Sequence, residues 1–115
     1  MEKFRWIAAI LAAINVAMFI LQTIFPWITD AFLLKSTAYF SEPWRILTHM
    51  FLHGSFEHLF YNMFGLIMFG LILEKLIGSR KFLIAYFIGG IAASVGAAVF
   101  YNATLGASGA LYAVF

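Results

Sequence analysis

Apolar residues run together along this chain in long uncharged blocks. No charged residue lies between Arg5 and Asp30, and none follows Lys81 as far as Phe115. A bilayer-spanning helix needs about 20 predominantly apolar residues, and both blocks exceed that. The interval between Glu57 and Glu74 is shorter, and it reaches spanning length when its flanks sit among the head groups. The pattern predicts spans over residues 4–25, 56–76 and 81–101, with a fourth beginning at 108–115 and continuing onward.

Punctuation between the blocks fits this division. Pro26 and Trp27 close the first span at the membrane interface. Residues 27–56 carry Asp30, Lys35, Glu42 and Arg45, yet are rich in Trp, Phe, Leu and Met. That mixture is too apolar for a solvated loop and too interrupted to span, so it predicts an interfacial loop. Gly78-Ser79 ends the second span. The third holds Gly89, Gly90, Ser94 and Gly96, small residues that let helix backbones approach closely in lipid. Asn102 to Leu105 form a polar break, and Gly106-Ala107-Ser108-Gly109 opens the fourth helix. No repeat, low-complexity tract or linker interrupts the chain. The expected architecture is all-α: one continuous polytopic transmembrane helix bundle.

Composition agrees, with 64% hydrophobic and 10% charged residues against roughly a quarter charged in soluble domains. A cleaved signal peptide is the alternative for the N-terminus, but the apolar run is too long and ends in Phe25-Pro26-Trp27, where cleavage requires small residues. The absence of cysteine excludes disulfides and thiol nucleophiles. Lys3 and Arg5 precede the first span, and Lys75, Arg80 and Lys81 fall between the second and third. Two crossings separate these clusters, so they share one side, which the positive-inside rule makes cytoplasmic. The expected location is the cytoplasmic membrane of a prokaryote, N-terminus inside, with the lipid bilayer and not nucleic acid as surroundings.

Polar side chains inside a span must find a partner or a purpose. His58 and Asn62 are four residues apart and share a helix face. They are either polar glue between helices or part of a site. Ser108 lies between glycines at a helix start, where unpaired N–H groups and the positive dipole end suit a developing oxyanion; the plainer reading is an N-cap serine. Three imidazoles at positions 49, 53 and 58 raise the question of zinc, but their loose spacing across two elements, with only Glu57 nearby, argues against a metal site. Hydrogen bonding within the loop is the expected role of His49 and His53.

Trp44-Arg45-Ile46-Leu47-Thr48-His49, followed by His53, His58 and Asn62, is similar to the loop and second-helix signature of rhomboid intramembrane serine proteases. Glu74 and Gly78 fall where that family's second helix ends, and Gly106-Ala107-Ser108-Gly109-Ala110-Leu111-Tyr112-Ala113 resembles its nucleophile motif. The resemblance covers about Trp44 to Ala113. It implies a six-helix core, of which this chain supplies the first three helices and the start of the fourth. It further implies cleavage of transmembrane protein substrates by a serine paired with a sixth-helix histidine, without a third acidic member or a cofactor.

On that resemblance Ser108 is the nucleophile, and Gly106 and Gly109 form its turn. His58 and Asn62 bind the oxyanion together with the N–H of Ser108, and Tyr112 packs on the base histidine. Trp44, Arg45, His49 and His53 are structural loop residues. All three histidines precede Ser108 and match other family positions, so none is the base. The chain stops at Val114-Phe115 inside an apolar helix, and the expectation is a truncated sequence, inactive as given. A non-catalytic relative that binds transmembrane segments is the competing expectation.

Overall fold

A computed structural model describes residues 3–35, 41–100 and 103–104. The expected fourth helix at 108–115, with Gly106, Ser108, Gly109 and Tyr112, lies outside the described residues. Six α-helices make up the described fold: α1 (Ile7–Ile24), α2 (Trp27–Phe32), α3 (Arg45–Thr48), α4 (Phe56–Gly65), α5 (Leu71–Ile77) and α6 (Ser79–Phe100). A π-helical turn at Leu66–Gly70 joins α4 to α5 in one continuous rod. Among the described residues, α1 and the Phe56–Ile77 rod are long and apolar enough to cross a membrane, with mean hydropathies of 2.2 and 1.5.

The core lies where α1, the π turn, α6 and the 3-10 turn His49–Phe51 meet. Ala8, Leu11, Ala12, Met50, Leu66, Phe82 and Tyr86 fill it. Small residues set the spacing. A Cβ at Gly70 would lie 3.2 Å from that of Ala8, so α1 and the π turn pack nearly backbone to backbone. Large apolar side chains on the other faces, such as Ile10, Ile20, Phe60 and Ile88, are exposed, as lipid-facing positions are in a membrane bundle.

The N-terminus of α1 is capped from another helix. Trp6, at the N-cap, has φ 60° and offers no side-chain acceptor. Instead the fully buried Glu74 of α5 accepts the N–H of Ile7 through Oε2 at 2.8 Å and that of Ala8 through Oε1 at 2.9 Å. The Ser79 hydroxyl donates to the same Oε2 and accepts the Arg5 N–H at 2.9 Å. Orphan amides at a helix start need acceptors, and a carboxylate there also complements the dipole.

The connection between α5 and α6 is Gly78 alone, at φ 94°, a conformation that favours glycine. Arg80 and Lys81 therefore stand in the first turn of α6, not in a connecting loop as the sequence suggested. One residue suffices because the backbone reverses without any side chain to accommodate. The segment 27–56 likewise contains short helices, α2 and α3. Finally, Leu34–Lys35 pairs antiparallel with Ala103–Thr104, Leu34 opposite Thr104 and Lys35 opposite Ala103. This two-residue ladder is the departure from an otherwise helical fold, and it falls on the expected polar break after α6.

Candidate active site

The loop is held together by satisfying the end of α2. Four successive carbonyls, Asp30 to Leu33, each accept a side-chain donor from 44–48. Arg45 Nη1 donates to Asp30 and, at 2.7 Å, to Leu33. Trp44 Nε1 donates to Ala31 at 3.2 Å, and Thr48 Oγ1 to Phe32 at 2.9 Å. Arg45 Nη2 also pairs with Glu42 at 3.2 Å. A helix end in an apolar setting must find such donors or forfeit several kcal/mol (roughly) per group. Trp44 and Arg45 thus close the loop on itself, with Arg45 Nε buried and not bonded.

His49 and His53 continue the same ladder inward, and both are buried. His49 Nδ1 lies 3.0 Å from the Arg45 carbonyl. Burial lowers the His49 pKa, against the raising effect of the Arg45 and Ile46 carbonyls. His53 is held by a residue that the sequence reading did not single out. Gln22, buried near the end of α1, accepts the His53 N–H at 3.0 Å and donates to the His53 carbonyl at 3.0 Å, and to Thr29 Oγ1 at 2.9 Å. A primary amide matches a peptide group in this way because it carries one acceptor and two donors. Burial, reinforced by the nearby charge of His58, pushes His53 down to about 4.

The His53 ring stands edge-on to that of His58, with centroids 5.4 Å apart. His58 lies in the first turn of α4, where Ser55 is the N-cap and accepts the His58 N–H at 3.2 Å. One turn on, the buried Asn62 donates through Nδ2 to the His58 carbonyl at 2.8 Å. That bond uses one of the two amide hydrogens and leaves the other for a ligand. The sequence-predicted His53, His58 and Asn62 are thus brought together. Ser108, Tyr112, Gly106 and Gly109 lie outside the described residues. Among the described residues no group of three or more His, Cys, Asp or Glu is arranged to hold a metal ion.

The order of these elements is mirrored in known proteins: a model of the rhomboid domain matches residues 41–115. The chain belongs to the rhomboid family. It is 41% identical over 73 residues to "RHOMBOID-like protein 6, mitochondrial" of Arabidopsis thaliana, covering 62% of this chain and 24% of that protein. It is 35% identical over 77 residues to "Putative rhomboid protease YdcA" of Bacillus subtilis, covering 64% and 39%. It is also 41% identical over 59 residues to "Inactive RHOMBOID-like protein 8" of Arabidopsis thaliana, covering 51% and 17%. This rhomboid-family chain therefore spans well under half the length of these curated relatives. Rhomboids are integral membrane proteins, in keeping with the two apolar helices, and relatives from plants and a bacterium match alike.

Proposed function

We propose that this rhomboid chain contributes the nucleophile and the oxyanion-binding side of an intramembrane serine endopeptidase that cleaves transmembrane proteins. Ser108 attacks the scissile carbonyl and forms an acyl-enzyme. The N–H of Ser108, the free hydrogen of the Asn62 amide and the His58 ring stabilise the oxyanion. Gly106 and Gly109 shape the turn, and Tyr112 packs on the base histidine. The base comes from outside residues 1–115, since on the family resemblance His49, His53 and His58 all match other positions. The Ser–His dyad needs no metal or organic cofactor.

One observation carries this reading. The ladder of Leu34–Lys35 with Ala103–Thr104, four residues before Ser108, supports it by holding that part of the chain against the 27–56 loop, which also carries His53. The N-terminus is cytoplasmic, because Lys3, Arg5, Lys75, Arg80 and Lys81 gather at the opposite end. On this reading the histidine cluster opens to the external side. A reporter fused after Gly78 reads the cytoplasm and one near Ser41 the outside; agreement between the two reporters refutes the orientation.

The activity is tested on the protein extended through its C-terminal helices, with a fluorophosphonate probe and a transmembrane substrate. Ser108→Ala abolishes labelling and cleavage. Asn62→Ala lowers cleavage about a hundredfold to a thousandfold, the usual effect of losing one oxyanion donor. Residues 1–115 alone neither label nor cleave; robust labelling of Ser108 there overturns the assignment of His58. The similarity to an inactive relative favours a second reading, a non-catalytic protein that binds transmembrane segments. It predicts substrate capture that Ser108→Ala leaves unchanged.

A further inference from the structure

Gln22 is the last buried position of α1, on the face that also buries Ala8, Leu11, Ala12 and Asn15. A buried amide in an apolar helix has to place its hydrogen bonds inside the protein. Gln22 directs three of them to two other segments: to the N–H and the carbonyl of His53, and to Thr29 Oγ1 in α2. His53 lies between the 3-10 turn that ends at Phe51 and α4, which begins at Phe56, so no regular element orients its backbone. The N–H and the carbonyl of one residue lie on either side of its Cα. A single amide bonded to both at 3.0 Å therefore fixes that Cα against α1, and with it the direction in which the side chain leaves.

That direction matters at His58. The buried His53 ring meets the His58 ring edge-on, with 73° between their planes and centroids 5.4 Å apart, a preferred geometry for paired rings. The backbone of His58 is held by its own neighbours, the N–H by Ser55 Oγ and the carbonyl by Asn62 Nδ2. Those bonds leave the ring torsion to the surroundings, and Gly54 to Glu57, the residues just before it, are exposed. The His53 ring is thus a wall against which the imidazole rests. Pushed down to about 4 by burial and the charge of His58, it is uncharged at neutral pH and does not repel a protonated neighbour.

We infer that Gln22 is a positioning residue for the oxyanion site: from α1 it sets the His53 ring, and the His53 ring sets the rotamer of His58. The inference rests on the reading of His58 as an oxyanion-binding residue. A Gln22 that only holds the fold together would lower stability and leave the folded enzyme's chemistry unchanged. A positioning Gln22 lowers kcat, because a misplacement of about 1 Å at a reacting centre costs up to about a hundredfold.

The test uses the protein extended through its C-terminal helices, with a transmembrane substrate, at a temperature where every variant is folded. Gln22→Met should lower kcat about tenfold to a hundredfold and leave KM within about twofold. Glu74→Gln, destabilised at the other end of α1, should keep kcat within about twofold of the parent. The decisive arm is a cycle with His58→Ala: once the imidazole is gone, Gln22→Met should cost less than about a further twofold. A second readout needs no cleavage. With histidine labelled by nitrogen-15, the ring signals of His58 should move in Gln22→Met and hold still in Glu74→Gln. Where Gln22→Met does not fold, Gln22→Glu takes its place in the cycle, since it keeps an acceptor for the His53 N–H and loses the donor to the carbonyl. An undiminished effect of the Gln22 variant without His58, an unmoved His58 signal, or equal kcat losses in Gln22→Met and Glu74→Gln overturns the positioning role and leaves the oxyanion reading standing. A parent that does not cleave, or a His58→Ala variant that cleaves as the parent does, refutes that reading itself, and the inference with it.

Discussion

Removing the Glu74 carboxylate should unseat the start of α1 without touching the histidine cluster. In Glu74→Ala the amides of Ile7 and Ala8 lose their acceptor, as does the Ser79 hydroxyl. Ala8 and Ser79 are essentially fully buried, so water does not replace their loss, whereas the half-buried Ile7 can recover part of its own. A hydroxyl can rotate to another partner, whereas an amide at a helix start cannot. One stranded amide at about 1–3 kcal/mol and a second partly rehydrated, with the cavity left by the side chain, give an expected cost of about 2–5 kcal/mol. Glu74→Gln keeps one carbonyl oxygen for Ala8 and turns a donor toward Ile7, so about 1–3 kcal/mol is expected. Glu42→Ala is the control. Its partner Arg45 retains the carbonyls of Asp30 and Leu33, and the cost should stay below about 1 kcal/mol. Equilibrium unfolding in mixed neutral and anionic micelles measures all three, and amide hydrogen exchange at Ile7 and Ala8 localises the effect. An alanine variant within about 0.5 kcal/mol of the parent, or a glutamine variant equal to it, would refute the capping argument.

Three further predictions follow from the same contacts. His53, held near 4 when folded and near 6.5 when unfolded, binds its proton more readily in the unfolded chain. Stability is therefore complete above about pH 6.5 and declines toward pH 4 by on the order of 1 kcal/mol per pH unit; melting across that range should flatten in His53→Phe, leaving the smaller effect of His49. Gln22→Met keeps the length of the side chain but frees the His53 backbone, and unfolding should show a loss of about 1–3 kcal/mol, against less for Thr29→Val. Gly90→Ala places a Cβ 2.1 Å from Met50 Cε in a packed core, at about 1–3 kcal/mol; adding Met50→Ala should recover part of that, read as a coupling in a double-mutant cycle.

The two apolar helices, α1 and the Phe56–Ile77 rod, were legible because long uncharged runs have few other uses. The pairing of His58 with Asn62 was legible from the spacing of four. Gln22 was missed although it is a polar residue in an apolar run, the same signal that drew notice to Asn62; the reading applied it to the second helix alone. Glu74 was seen only as a residue at the end of a helix. That it caps α1 depends on a contact between distant parts of the chain, which no local pattern encodes. The donors from Trp44, Arg45 and Thr48 to successive α2 carbonyls were hidden for the same reason. The one-residue turn at Gly78 was read as a longer connection, since the helix dipole disfavours basic residues in a first turn and Arg80 and Lys81 therefore read as loop. The motif around Ser108 remains an inference from its resemblance.

The π turn at Leu66–Gly70 has a bearing on how this rod can vary in length. Asn62 and Glu74 are twelve positions apart. On an unbroken α-helix at about 100° per residue they would point roughly 120° away from each other. The wider π turn, at roughly 80° per residue, brings them to within about 30°, and both are buried. The turn thus acts as a phase shifter that absorbs one residue. A chain one residue shorter at this point, running as plain α-helix, would keep both side chains facing inward at roughly 20° apart. A rod with one residue removed and the π turn straightened should therefore still present Asn62 at one end and Glu74 at the other. Removal of a residue from α4 or α5 with the π turn intact would rotate one of them out toward lipid.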